Sequence, residues 1–218
     1  MAIRGLIFDL DGVLVDSARY HFEAWKRLAA SLGIDFTEEQ NEELKGISRA
    51  DSLRKIVNWG GLELSDEAFA DAMERKNTWY LELIQGMSPD EALPGSRAFM
   101  ESAKGTYGLA LGSASRNARS ILQRVELLSF FDALVDGNDT SRSKPDPQVF
   151  QLAAERLGQK PEECVVFEDA VAGVQAAKAA GMRVIGVGAP DVLHQADAVI
   201  DGFAGFGPRV MEQRLMAV

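Results

Sequence analysis

Six short apolar runs rich in β-branched residues recur along the chain: GLIFDL at 5–10, YGLALGSAS at 107–115, ALVDG at 133–137, CVVFED at 164–169, RVIGVG at 183–188 and DAVID at 197–201. The later runs are separated by stretches with helical patterning, RNARSILQRVELLSFF, DPQVFQLAAERLG and AVAGVQAAKAAGM. Buried strands that alternate with helices predict an α/β fold, a parallel sheet covered on both faces. With 218 residues, 46% of them hydrophobic, the chain has apolar surface for one sizeable core and a small satellite.

Between the first and second runs the alternation stops. Residues 18–90 carry no strand signal and instead read as helices at YHFEAWKRLAASLG, TEEQNEELKG, SRADSLRKIVNWGG and SDEAFADAMERKNTWYLELIQG. Gly33, Gly46 and Gly60 suit helix ends, and Ser48 and Ser65 precede acid-containing first turns as N-caps do. The segment SPDEALPGS, with Pro89, Pro94 and Gly95, reads as a linker back into the sheet. The expected organisation is therefore a core made of 1–16 and 92–218, with residues 17–91 inserted as an all-helical domain. No internal repeat or low-complexity tract interrupts it.

A formal net charge of −10 argues against nucleic acid or an anionic membrane surface as the general partner. A phosphorylated substrate would need a local cluster of cations and a metal ion to overcome that field. Cys164 is the single cysteine, so an intrachain disulfide is impossible, and in its apolar run it reads as a packed thiol. No apolar run approaches the length of a membrane span, and a soluble, cytoplasmic protein is the expectation.

In open parallel sheets, ligands collect beyond the carboxyl ends of the strands. The polar residues there are Asp9 and Asp11, Ser113 and Ser115, Asp136 and Asp139, and Glu168 and Asp169. Asp9 and Asp11 lie two residues apart, on one side of an extended segment, where like charges are costly unless something neutralises them. Alone, this pair reads as a polar turn and EDA as a helix-capping strand end. Taken together, Asp9, Asp11, Glu168 and Asp169 form a hard oxygen set suited to Mg²⁺. GSASRN at 112–117 puts small and hydroxyl residues at a helix start, which favours phosphate. SKPDP at 143–147 stiffens the backbone around Lys144, although a surface lysine in a proline turn fits the same pattern. The combination fits covalent phosphoryl transfer. Asp9 would attack phosphorus, Asp11 would act as general acid and base, and Lys144 with the metal would balance charge.

The order DLDG, GSAS, SKPDP and EDAVAGVQAAKAAGM resembles that of the haloacid dehalogenase-like superfamily over nearly the whole chain. The resemblance implies a Rossmann-like core with a helical cap inserted after the first motif. Most capped members are phosphatases, which keeps a phosphatase acting on small sugar phosphates or phosphoglycolate in play. DSARYHFEAWKRLA, LKGISRADSL and ERKN in the cap resemble the β-phosphoglucomutases, which convert β-glucose 1-phosphate to glucose 6-phosphate through a bound 1,6-bisphosphate. By that resemblance, His21 and Lys76 assist positioning and proton transfer, Trp25 shapes the sugar pocket and Arg49 grips the phosphate that is not reacting. Leu44, Gly46, Ser48 and Ser52 line the sugar side, and Ser113, Ala114, Ser115, Arg116, Asn117 and Lys144 hold the reacting phosphate. The resemblance also implies a monomer. Arg116 stands where these mutases commonly carry lysine, and Ser17 where threonine is common.

The residues admit plainer readings as well. Trp25 lies on the apolar face of a helix and fits core packing, His21 fits a helix surface, Lys76 a solvated charge run and Ser48 a simple N-cap. His194 reads as structural. Dehalogenation would leave Asp11, Glu168 and Asp169 without a purpose, and a phospho-acceptor signalling module would not need residues 18–90. A mutase must hold a bisphosphate with either end at Asp9, and Arg49 supplies the second anion site that a hydrolase lacks.

Overall fold

The computed structural model describes residues 2–216. Each of the six apolar runs contains a strand, trimmed at its polar end: β1 (Gly5–Phe8), β2 (Gly108–Gly112), β3 (Ala133–Val135), β4 (Cys164–Glu168), β5 (Arg183–Val187) and β6 (Ala198–Ile200). All are parallel, in the order β3-β2-β1-β4-β5-β6. β1 lies between β2 and β4, with Phe8 in register with Phe167, so Asp9 leaves the sheet beside Glu168. The Asp9 N–H donates to the Phe167 carbonyl (3.0 Å), which fixes that exit.

Side chains alternate between the two faces as extended backbone requires. Leu6, Phe8, Leu109, Leu111, Val165 and Phe167 pack on one side with α5 (Ser96–Ala103), α6 (Ala118–Arg124) and α9 (Pro208–Met216) through Phe99, Ile121 and Met211. Ile7, Ala110, Val166 and Val184 pack on the other with α7 (Gln148–Leu157) and α8 (Val171–Ala179) through Phe150, Ala153 and Val174. The helix expected over RNARSILQRVELLSFF stops early, at Arg124. Glu126 takes a left-handed φ of 56°, and the Leu127 N–H reaches back to the Leu122 carbonyl, burying Leu127. That terminating geometry satisfies the last carbonyls of the helix.

Residues 17–91 are helical, as α1 (Ala18–Ser31), α2 (Glu38–Glu42), α3 (Arg49–Trp59) and α4 (Asp66–Ile84). Ser48 and Ser65 act as N-caps, accepting from the backbone N–H groups of Asp51 and Ala68 (both 3.2 Å). Gly60 is the cap residue of α3 with an ordinary φ, and the left-handed position falls on Gly61. Trp25, Leu28, Phe36, Leu44, Leu53 and Ile56 form a hydrophobic core of their own between these helices. Tyr80 and Ile84 at the foot of α4 belong instead to the core beneath the sheet. Where the chain leaves and re-enters the sheet layer, its two passes are hydrogen-bonded: Leu93 N–H to the Leu14 carbonyl (2.9 Å) and Asp16 N–H to the Glu91 carbonyl (3.2 Å). Among the described residues, no helix is long and apolar enough to cross a membrane.

Candidate active site

The carboxyl ends of β1, β2 and β4 open into a cleft of about 860 Å³ roofed by α1, α3 and α4. At its floor is a buried three-way contact. Lys144 Nζ lies 2.6 Å from Asp9 Oδ1 and 2.5 Å from Glu168 Oε1, and none of the three residues is more than 4% exposed. Burial alone would discharge the lysine, but the two carboxylates outweigh it and raise its pKa. Burial raises Glu168 to about 7 despite Lys144. Its second oxygen accepts from the Ala170 N–H (2.7 Å), so this carboxylate is fully engaged and does not line the cleft. The structure makes Glu168 an anchor of Lys144 beside Asp9.

Asp169, the next residue, does line the cleft. Burial, with Glu168 and Asp9 nearby, pushes its carboxyl well above the usual range. A Cβ at residue 12 would lie 2.1 Å from Asp169 Oδ2, and φ there is +78°, so only glycine fits between the two loops. No group of three or more His, Cys, Asp or Glu side chains among the described residues is arranged to hold a metal ion. Of the expected set, Asp9, Asp11 and Asp169 line the cleft, and Glu168 shares Lys144 with Asp9. These hard oxygens suit magnesium, which binds through one or two carboxylates and fills its shell with water and substrate phosphate. The excess of carboxylates over one lysine also calls for further positive charge.

Asp11 accepts a short hydrogen bond from the buried Ser17 hydroxyl, and its Oδ1 lies 3.8 Å from His21 Nε2. Burial and the nearby Asp9 carboxylate raise the Asp11 carboxyl to about 6. His21 Nδ1 is 3.1 Å from Lys76 Nζ, and that ammonium sits over the rings of Tyr80 (4.5 Å) and Trp25 (4.6 Å). Lys76 is only 2% exposed. Burial and the neighbouring Arg49 lower its pKa well below the ordinary value, and burial with Lys76 does the same to His21. Lys76 is therefore no part of a solvated charge run. Trp25 both packs in the helical core and lines the cleft.

On the β2 side, the Ser113 and Ser115 hydroxyls accept from the Ser115 and Asn117 N–H groups, shaping a tight loop ahead of α6. Across the cleft, Arg49 opens α3. Its pKa is lowered by desolvation and by the guanidinium of Arg116, with no carboxylate to offset them. Arg49 at the roof thus faces the exposed Arg116 of the loop that follows β2. Every residue expected to react or to bind lines the cleft except Glu168. Asp136 and Asp139, at the end of β3, form a loop network with Arg156 instead, and His194 Nδ1 lies 3.2 Å from the Asp191 carbonyl, away from the cleft lining. Asp51, Ser143 and Asn77 also line the cleft and were not anticipated. The S-x-x-D spacing after Ser48 was the one available signal, and it points to helix capping.

A family model of haloacid dehalogenase-like hydrolases matches residues 3–181. The chain belongs to that family. Within it, the chain is 41% identical to a β-phosphoglucomutase of Bacillus subtilis, over 91% of this chain and 89% of that one. It is 36% identical to a phosphorylated carbohydrates phosphatase of Thermotoga maritima, over 85% of each. The crystal structure of a β-phosphoglucomutase from Clostridium difficile superposes with a TM-score of 0.95 at 35% identity, covering 99% and 98% of the two chains. The haloacid dehalogenase-like fold is thus established for this chain, and its relatives include both a sugar-phosphate mutase and a sugar phosphatase.

Proposed function

We propose that the chain interconverts β-D-glucose 1-phosphate and D-glucose 6-phosphate through a phosphorylated Asp9 and a β-glucose 1,6-bisphosphate intermediate. The observation that carries this reading is Arg49, a half-buried cation at the start of α3 that is partly desolvated and lies across the cleft from Asp9 and Lys144. A bisphosphate needs an anion site at each end, whereas one phosphate needs a single site. Residues 17–91 act as a cap in this reading, and the enzyme works as a cytoplasmic monomer.

Asp9 Oδ2 is the nucleophile, while Oδ1 stays on Lys144. Lys144 balances the charge of the transferring oxygens, and Glu168 holds it in place. Asp11, raised to about 6, is partly protonated near neutral pH, which suits a group that gives a proton to the leaving hydroxyl and takes one from the incoming hydroxyl. Ser113 and the N–H groups of the loop before α6 orient the reacting phosphate. His21 and Lys76 orient Asp11 and the sugar. Magnesium held by Asp9 and Asp169, when bound, supplies charge neutralisation and lets both carboxylates stay ionised.

The test is an assay of purified protein with Mg²⁺, β-glucose 1-phosphate and a trace of glucose 1,6-bisphosphate. Glucose 6-phosphate with little free phosphate is the expected product. Rapid phosphate release without isomerisation refutes the mutase in favour of the phosphatase. Arg49→Ala should reduce isomerisation at least 10-fold more than residual hydrolysis, since a guanidinium bond to phosphate contributes about 1.5–3 kcal/mol. Equal losses in both would remove the second phosphate site.

A further inference from the structure

The cleft contains a carboxylate that the chemistry above does not use. Asp51 lines a cavity built for phosphate, where a negative charge repels the ligand. Its Oδ2 accepts from the Ser48 hydroxyl (2.6 Å) and also, in a short bond, from the Ser143 hydroxyl, while Arg54 holds Oδ1 (2.7 Å). Ser48, Asp51 and Arg54 all belong to α3 and its cap. Ser143 belongs to the turn from the sheet layer that carries Lys144, 92 residues away in sequence. One carboxylate oxygen therefore bridges the two sides of the cleft.

We propose that Asp51 is the latch that holds the helical cap closed, fixing the start of α3, and with it Arg49, over the Lys144 turn. The inference rests on the mutase reading for its consequence but not for its geometry. Asp51 is a positioning residue. It sits two residues after Arg49, and its partner sits one residue before Lys144, so the bond ties together the supports of the two phosphate-facing cations. The N-terminal turn of α3 and Arg54 stabilise the charge on Asp51 on the cap side, and Oδ2, while accepting from Ser48, keeps a lone pair to accept across the cleft.

Two further observations show how tightly the halves meet. A Cβ at Gly46, where φ is +75°, would lie 3.0 Å from the Ala170 Cβ, so the loop before α3 already touches the start of α8. Asn117 Nδ2 donates to Asn77 Oδ1 (3.0 Å) on the far side of the cleft. That second bond joins two neutral amides, and hydrogen bonds to charged groups are roughly twice as strong. Asp51 thus carries the larger share of closure.

The test uses Ser143→Ala, which leaves the capping of α3 intact, and Asp51→Asn as the second variant. Spin labels on Glu67→Cys and Glu155→Cys, both exposed, report the distance between the halves, and the native Cys164 is buried. Loss of a charge-assisted bond should shift the open-to-closed ratio about 10-fold toward open in either variant. The double variant should shift no further than the larger single effect, because both remove the same bond. Unchanged distance distributions in both single variants overturn the latch, as do fully additive shifts. In turnover, both variants should release several-fold more free phosphate per glucose 6-phosphate formed, because an open cap admits water to the aspartyl phosphate. An unchanged ratio alongside shifted distances overturns its role in excluding water. If the native protein does not isomerise at all, the mutase reading fails and the distance measurement still decides the latch.

Discussion

Replacing Lys144 with methionine removes the ammonium in contact with Asp9 and Glu168 while keeping a side chain of similar length. The two contacts of 2.6 and 2.5 Å are buried, so the variant leaves two carboxylates facing each other out of water. Removing one partner of a buried pair costs about 3–5 kcal/mol. The molecule can relieve this by protonating Glu168, whose pKa is already raised to about 7. A carboxyl held protonated in the fold costs about 1.4 kcal/mol for each pH unit above its unfolded value. In the native protein that loss accumulates from the ordinary glutamate value up to about pH 7 and then levels off. In the variant the folded pKa moves higher, so the loss continues through pH 8. The stability gap should be small at pH 5.5 and should open to about 3–5 kcal/mol by pH 8.5. For a chain of this size that corresponds to a midpoint lowered by roughly 6–20 °C. Thermal unfolding followed by circular dichroism at four pH values measures it. A gap that is the same at pH 5.5 and 8.5, or no gap at pH 8.5, would refute the account of the buried triad.

Asp9→Ala should abolish isomerisation and any burst of phosphoenzyme in rapid-quench experiments; turnover at the native pace would end the covalent reading. Chelation by EDTA should stop turnover, and Mg²⁺ should restore it, with Asp169→Ala raising the Mg²⁺ concentration needed at least 10-fold in titrations. The Tyr80 hydroxyl is buried without a hydrogen-bond partner among the described residues. Tyr80→Phe should therefore change unfolding free energy in urea by no more than about 1 kcal/mol, with a gain as acceptable as a small loss. A loss above 2 kcal/mol would mean that the hydroxyl is satisfied in solution.

The strands were legible because the four central ones are almost wholly buried, so their runs are nearly continuously apolar. Their ends were overestimated by one or more residues because the ladder stops where side chains turn into the cleft, as at Asp9 and Asp169. The inserted helices could be read from Ser48 and Ser65, whose caps are local chemistry. α5 and α9 were not anticipated: α5 starts after a left-handed Gly95 with no side-chain cap, and α9 follows the glycine-containing AGFG and opens on Pro208. At the site, the residue types were legible but the division of labour was not. Strand-end acids look alike in sequence, and only the register of β1 against β4 decides that Glu168 meets Lys144 while Asp169 faces the cleft. The Asp51–Ser143 bond depends on how the insertion folds back over the sheet, which no local pattern encodes.

On the proposed reading, the acidic chain attracts a phosphorylated ligand through the cations that line its cleft, and Lys76 and His21 are held in an unfavourable state until the ligand arrives. Lys76 is buried against aromatic rings and beside Arg49, and its pKa is lowered well below the ordinary lysine value. His21, 3.1 Å away, is lowered as well. A phosphate dianion at the roof adds the negative charge these groups lack and raises both pKa values. Binding should therefore draw protons from solution. At pH 8 the ligand's own phosphates are already dianionic, their second pKa being about 6, so proton uptake there reports on the protein. Titration calorimetry of glucose 1,6-bisphosphate in two buffers of different ionisation enthalpy should give an uptake approaching one proton per ligand bound. Lys76→Met should reduce it sharply while leaving the isotherm measurable, because Arg49 and Arg116 still hold the anion. Zero uptake in the native protein would show that Lys76 is already charged in the empty cleft, and the case for a cation discharged by burial would fall.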